Sequence, residues 1–137
     1  RLHYAYPSAV TDGLLDVMAK SPTIAKYLDV PIQHVDDGVL KSMRRGHGSR
    51  LVRELVERVR TRVPGATLRT TFIVGHPGET DEAFEKLCEF VRTSELDRVG
   101  VFPYSREEGT VAALLPLRVP KKDTDARRRE LMRIQRE

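Results

Sequence analysis

The sequence predicts an α/β fold, four parallel strands covered by helices, on two observations. Segments with strand-like apolar character alternate with segments at helical spacing along the 137 residues: strand, helix, strand, helix, helix, strand, helix, strand. That alternation implies parallel strands joined by right-handed crossovers. The second observation is Arg69-Thr-Thr-Phe-Ile-Val-Gly-His-Pro-Gly-Glu-Thr80, a whole junction in twelve residues. Its β-branched and aromatic run reads as a buried strand. Gly75, Pro77 and Gly78 make a tight turn in which backbone can approach a ligand. Thr80 then caps a helix that carries Asp81 and Glu82 in its first turn.

The elements follow in order. Leu2 to Tyr6 reads as a strand closed by Pro7. Thr11 to Lys20 has helical spacing at Leu14, Leu15 and Met18, and Ser21-Pro22 stops it. Tyr27 to Ile32 is a second strand, with a ladder hydrogen bond put at risk by Pro31. Val35 to Arg44 is a short helix with Val39, Leu40 and Met43 on one face, and Arg45-Gly-His-Gly48 is a loop. Ser49 is expected to cap the clearest helix, whose stripe is Leu51, Val52, Leu55, Val56 and Val59, ending at Pro64-Gly65. After the strand at Arg69 to Val74, the helix from Asp81 to Arg92 buries Phe84, Leu87, Cys88 and Val91. Arg98 to Tyr104 is the last strand, and Lys122 to Arg136 a final charged helix.

Composition narrows the function classes. With 39% hydrophobic residues the chain can fill one core, and no apolar run approaches a membrane span. A single cysteine, Cys88, forms no internal disulfide, which fits a cytoplasmic location; on an apolar stripe it reads as a core residue. The net charge of +4 concentrates around Arg50 to Arg62 and Arg127 to Arg136. No aromatic residues interleave there to stack bases, so solvated helix faces are favoured over a nucleic-acid footprint. The chain opens strand-like without methionine and ends inside a charged run, and it reads as a piece of a longer protein.

Gly75-His-Pro-Gly78 is not a phosphate loop. Such a loop needs four residues between its glycines and a following lysine, whereas only two stand here and Glu79 would repel phosphate. Parallel strands would instead bring together a polar rim at their carboxyl ends: His3, Tyr4 and Tyr6; Gln33 and His34; His76 and Glu79; Tyr104, Ser105 and Arg106. No nucleophile elbow, paired cysteines or metal-spaced histidines accompany it, so no catalytic or metal-ligating residue is assigned; if the chain is a piece of an enzyme, the cofactor that does the hard chemistry is held elsewhere.

Five stretches carry a resemblance: Tyr27-Leu-Asp-Val-Pro-Ile-Gln-His34, Val39-Leu-Lys-Ser-Met-Arg-Arg45, the Arg69–Thr80 junction, Asp97-Arg-Val-Gly-Val-Phe-Pro-Tyr-Ser105 and Glu108-Gly-Thr110. In residues and order they resemble the radical S-adenosylmethionine methylthiotransferases of the RimO/MiaB type, over nearly the whole chain. Gln33-His34 and Arg106-Glu-Glu-Gly109 are most similar to the branch that inserts a methylthio group at an aspartate of a small-subunit ribosomal protein. The branch acting on transfer-RNA adenosine, whose pattern puts Gln-Ser-Gly at Gln33, is the first alternative. A non-catalytic, basic RNA-binding half-barrel is the second.

The resemblance implies that the chain is an arc of a partial (β/α)6 TIM-like barrel, its last four strands. Residues 1–118 would be the carboxyl-terminal part of the radical SAM domain, and 119–137 a terminal helix leading to a TRAM domain. It implies S-adenosylmethionine and two 4Fe-4S clusters in the full-length enzyme. With one cysteine this piece would ligate neither cluster and be inactive alone. Implied cofactor contacts are Gln33 at the ribose, Arg45 at the methionine carboxylate, and Ile73, Gly75, Glu79, Val101 and Phe102 around the adenine. Tyr4, Tyr6, His34 and Tyr104 would line the substrate mouth, and His76 stands where the family has Phe. The implied partners are the ribosomal protein substrate and, through the TRAM domain, ribosome or RNA. No membrane partner is implied. A cut barrel would also self-associate or fray at Leu2 to Tyr6.

Overall fold

The computed structural model describes residues 1–137. Three strands form one sheet in the order β1 (Tyr27–Asp29), β2 (Thr67–Val74), β3 (Arg98–Pro103), and both pairings are parallel. The helices are α1 (Asp12–Lys20), α2 (Asp37–Ser42), α3 (Ser49–Arg62), α4 (Asp81–Thr93), α5 (Val111–Leu114) and α6 (Lys121–Ile134). A turn of 3-10 helix at Pro7–Ala9 precedes α1.

Strand β2 alternates strictly. Leu68, Thr70, Phe72 and Val74 are buried under the helices, while Thr67, Arg69, Thr71 and Ile73 are half-buried on the opposite face. Phe72 meets Phe90 of α4 edge-on, with ring centroids 6.2 Å apart. The core beneath the sheet joins Leu28, Leu68, Phe72 and Val74 to Leu55, Val59, Leu87, Phe90 and Leu131. Burying such side chains stabilises the fold by roughly 1.5–3 kcal/mol each. No helix is long and apolar enough to cross a membrane.

Four sequence expectations change. Leu2 to Tyr6 is not a strand: Leu2 forms one parallel bridge to Leu28, and Tyr4 at φ +55 turns the backbone before the ladder can extend. The segment still lies along β1, with Ala5 N–H donating to the Asp29 carbonyl at 2.9 Å. The strand at Tyr27 stops at Asp29 rather than Ile32, because Pro31 interrupts it. Helix α3 is not capped by Ser49. Gly48 is the N-cap, and the Asp37 carboxylate accepts the Ser49 N–H at 2.6 Å. Phe84 is only partly buried, and Phe90 takes the deep position on α4.

The interruption at Pro31 is repaired locally. Between the pairings Asp29↔Arg69 and Gln33↔Phe72, the first chain spends one residue more than the second, a bulge. The Thr70 hydroxyl fills the gap, donating to the Val30 carbonyl at 2.8 Å and accepting from Ile32 N–H at 3.2 Å. Pairing resumes at Gln33, whose N–H reaches the Thr71 carbonyl and whose carbonyl accepts from Ile73 N–H, both at 2.9 Å. Gln33 is thereby set at φ +76.

Candidate functional site

Parallel pairing gathers the strand ends on one edge. Gln33 lies beside Phe72 and Ile73, Gly75 follows at the end of β2, and Tyr104 N–H donates to the Val74 carbonyl at 2.8 Å. Two left-handed residues, Gln33 (φ +76) and Gly75 (φ +79), therefore flank the end of β2. Glutamine at positive φ is strained, and such strain concentrates where a chain is shaped for a ligand. Its carboxamide makes no hydrogen bond inside the chain, whereas its backbone is fully paired. Ile73 is half-buried on the sheet's uncovered face, and Phe102, its partner on β3, is 56% exposed. Ile73 and Phe102 thus offer an apolar surface on that face, and Gln33 stands at the same strand edge.

Glycine at position 75 has a second reason. A Cβ there would lie 2.2 Å from Thr124 Oγ1 of α6, so α6 occupies the space a side chain would need. The opening left beside it is a cavity of about 420 Å³, bounded by Gly75 and Pro77, by Pro103 to Arg106, and by the start of α6.

Glu79 and His34 lie deeper than the other residues of the edge. Both side chains are fully buried, behind the edge rather than on it. Glu79 Oε1 accepts from Gly75 N–H at 3.0 Å and from Arg127 of α6 at 2.6 Å, and Oε2 faces His34 Nε2 at 3.1 Å. His34 Nδ1 accepts Asp36 N–H at 3.0 Å, so the ring proton sits on Nε2 and is donated to Glu79. These contacts commit both side chains to holding the chain together. Sequence reasoning missed this role because Arg127 is 48 residues from Glu79 and lies on a helix that reads as plain charged surface.

The other expected residues scatter more. Tyr4 is 79% exposed, and Tyr6 donates its hydroxyl to the Arg45 carbonyl. The Arg45 guanidinium lies over the Tyr6 ring at 4.8 Å and donates to the Pro31 carbonyl at 3.0 Å, leaving Nε buried without a partner. His47 meets the other side of this cluster, edge-on to Tyr6 at 5.6 Å. Burial, and then the charge of Arg45, hold its imidazole below the usual range. Tyr104 packs edge-on against His76 at 5.4 Å and its hydroxyl is buried without a partner. His76 is buried, with its ring against that of Tyr104. Val101 is buried, with its carbonyl accepting from Arg128 of α6 at 3.2 Å.

The Radical SAM superfamily model matches residues 2–91. The chain belongs to the radical SAM superfamily. Among curated proteins it is similar to the ribosomal protein uS12 methylthiotransferase RimO of Myxococcus xanthus (strain DK1622), at 55% identity over 98% of this chain and 28% of that protein. Enzymes of the same name from Sorangium cellulosum (strain So ce56) and Anaeromyxobacter sp. (strain Fw109-5) are 50% and 52% identical, over 99% and 100% of this chain. The chain thus spans less than a third of the length of these relatives. Among solved structures, coproporphyrinogen III oxidase (HemN) from Escherichia coli, described as a radical SAM enzyme, superposes with a TM-score of 0.66. It is 19% identical and covers 93% of this chain and 29% of its own, a likeness of fold.

Membership of this superfamily implies S-adenosylmethionine and an iron–sulfur cluster. The nucleoside fits the edge: Ile73 and Phe102 offer an apolar surface to a purine, and Gln33 a carboxamide with no partner inside the chain. A cluster does not fit these residues. Cys88 is buried on α4, and burial, the main influence, pushes its thiol up to about 11. No group of three His, Cys, Asp or Glu side chains could hold a metal.

Proposed function

We propose that this chain is the carboxyl-terminal part of the radical SAM domain of a ribosomal protein methylthiotransferase, and that it supplies the nucleoside side of the cofactor site. The observation that carries the cofactor reading is the convergence of Gln33 and Gly75, both left-handed, on either side of Ile73. The choice of reaction rests on the curated relatives, which keep about half of all residues across the whole chain.

In this reading Ile73 and the exposed ring of Phe102 form one wall against the adenine, and the Gly75 turn lets it approach the backbone. Gln33 hydrogen-bonds the ribose hydroxyls. Arg45, held flat by Tyr6 and steadied by Pro31, offers its remaining N–H groups to the methionine carboxylate as a fork. Val101 supports this surface from behind. Tyr4, Tyr6 and Tyr104 border the entry of the acceptor. Held at a cluster elsewhere in the complete protein, S-adenosylmethionine would supply the radical chemistry that removes the acceptor's hydrogen atom, with the sulfur of the methylthio group coming from a separate donor.

The acceptor is proposed to be an aspartate of a small-subunit ribosomal protein. The test is an anaerobic assay of the reconstituted full-length protein on that ribosomal protein and on transfer RNA, read by mass spectrometry. A gain of the methylthio mass on the ribosomal protein alone is expected. Modification of transfer RNA alone would transfer the assignment to the adenosine-modifying branch.

A further inference from the structure

One face of α6 touches the cofactor edge from behind at three points. Thr124 fills the space beside Gly75. Arg127 reaches both the Glu79 carboxylate, at 2.6 Å, and its carbonyl, at 3.1 Å. Arg128 donates to the Val101 carbonyl at 3.2 Å. Positions 124, 127 and 128 are one turn apart on a single helix stripe.

The central contact reaches furthest. Glu79 is fully buried and holds two groups besides Arg127: the Gly75 N–H and the His34 ring. His34 directly follows Gln33, so one carboxylate ties down Gly75 itself and the neighbour of Gln33. A buried carboxylate of this kind is stable only with its charge compensated, and Arg127, itself 11% exposed, is the one cation that contacts it. Arg127 is in turn braced by Asp81 at 2.7 Å and by the Phe84 ring at 5.5 Å.

We infer that Arg127 is a positioning residue for the cofactor. Through Glu79 it locks the Gly75 turn and the His34 ring, so that affinity for S-adenosylmethionine is set from α6, without any contact between Arg127 and the ligand. This rests on the cofactor reading above. It adds that α6 belongs to the site. Donors fixed by a buried outer partner lose affinity when that partner goes, commonly on the order of tenfold.

The experiment compares Arg127→Met, Arg127→Lys and Arg133→Met in the full-length, cluster-containing protein. Arg133 lies on the same helix but pairs only with Glu130 and Glu137 at the surface. Two quantities are read: hydrogen exchange of the peptide spanning Gly75 to Thr80 without ligand, and equilibrium binding of S-adenosylmethionine. Arg127→Met should speed the exchange and weaken binding by about tenfold while leaving kcat at saturating cofactor within about threefold. Arg127→Lys should recover part of both, since an ammonium still reaches Glu79. Arg133→Met should change neither. Unchanged exchange, or unchanged affinity, in Arg127→Met overturns the inference. Failure of the unmodified protein to bind S-adenosylmethionine would instead overturn the cofactor reading, and the exchange measurement would still judge the lock itself.

Discussion

His76 donates its Nδ1–H to the Pro77 carbonyl at 3.0 Å and lies edge-on to Tyr104, almost out of solvent. Burial is the largest influence on its imidazole and holds it below its ordinary value of 6.5, against the opposing pull of the Pro77 bond and of Glu79. Below that value the unfolded chain takes up a proton that the folded chain refuses. The stability associated with neutral His76 is therefore complete above 6.5 and declines as pH falls beneath it. His47, lowered for the same first reason, acts in the same direction. The midpoint of thermal unfolding should drop between pH 7.5 and pH 5.5. His76→Phe should shrink that drop, since phenylalanine takes up no proton in the unfolded chain, at the cost of one hydrogen bond at neutral pH. Calorimetry at both pH values checks it, and an unchanged difference would remove His76 as the source. The sequence marked His76 as a position of interest but not as buried, because its partner Tyr104 is brought beside it only by strand pairing.

At the scale of elements, β2 was the most legible, since its alternation is complete over eight residues and each buried position bears an apolar or a satisfied polar group. Helices α1 and α4 were legible for the same reason, with Thr11 and Thr80 accepting the N–H groups of Leu14 and Ala83 as their positions suggest. Where local rules failed, a residue distant in sequence had intervened. Ser49 lost the capping role because Asp37 reaches across from α2. Helix α5 went unseen because four residues make too short a period to recognise. The bulge at Pro31 was anticipated as a lost bond, but its repair by Thr70, about forty residues away, was not readable. That repair is testable. Thr70→Val should destabilise by about 2–3 kcal/mol, because a buried carbonyl and a buried N–H both lose their partner. Thr70→Ser, which keeps the hydroxyl, should lose less than half as much. Urea unfolding monitored by circular dichroism measures both, and equal losses would show that the hydroxyl is not what matters.

For the whole molecule, the sheet has one face sealed by helices and one face left half-open, where Asp29 and Arg69 pair at 3.1 Å beside Thr71 and Ile73. The sealed side contains Cys88, whose thiol is raised to about 11 by burial, then by Glu85. A thiol both inaccessible and protonated reacts only when the molecule opens. Labelling of Cys88 by a thiol reagent at pH 8 should therefore be far slower than that of free cysteine, and should accelerate in parallel with unfolding as urea is added. Labelling that outruns unfolding would reveal local opening of α4. The candidate site was legible as a location, since parallel strands oblige their carboxyl ends to meet. Its support was not, because Arg127, Thr124 and Arg128 look in sequence like any stretch of solvated helix.

The way α6 grips that edge separates two tasks along the chain. The groups offered to a visiting nucleoside come from residues 33 to 102, whereas the three that brace them from the rear come from 124 to 128. Lineages could thus exchange what greets the guest while the brace stays as it is. Any change to the brace, by contrast, would be felt by every guest alike.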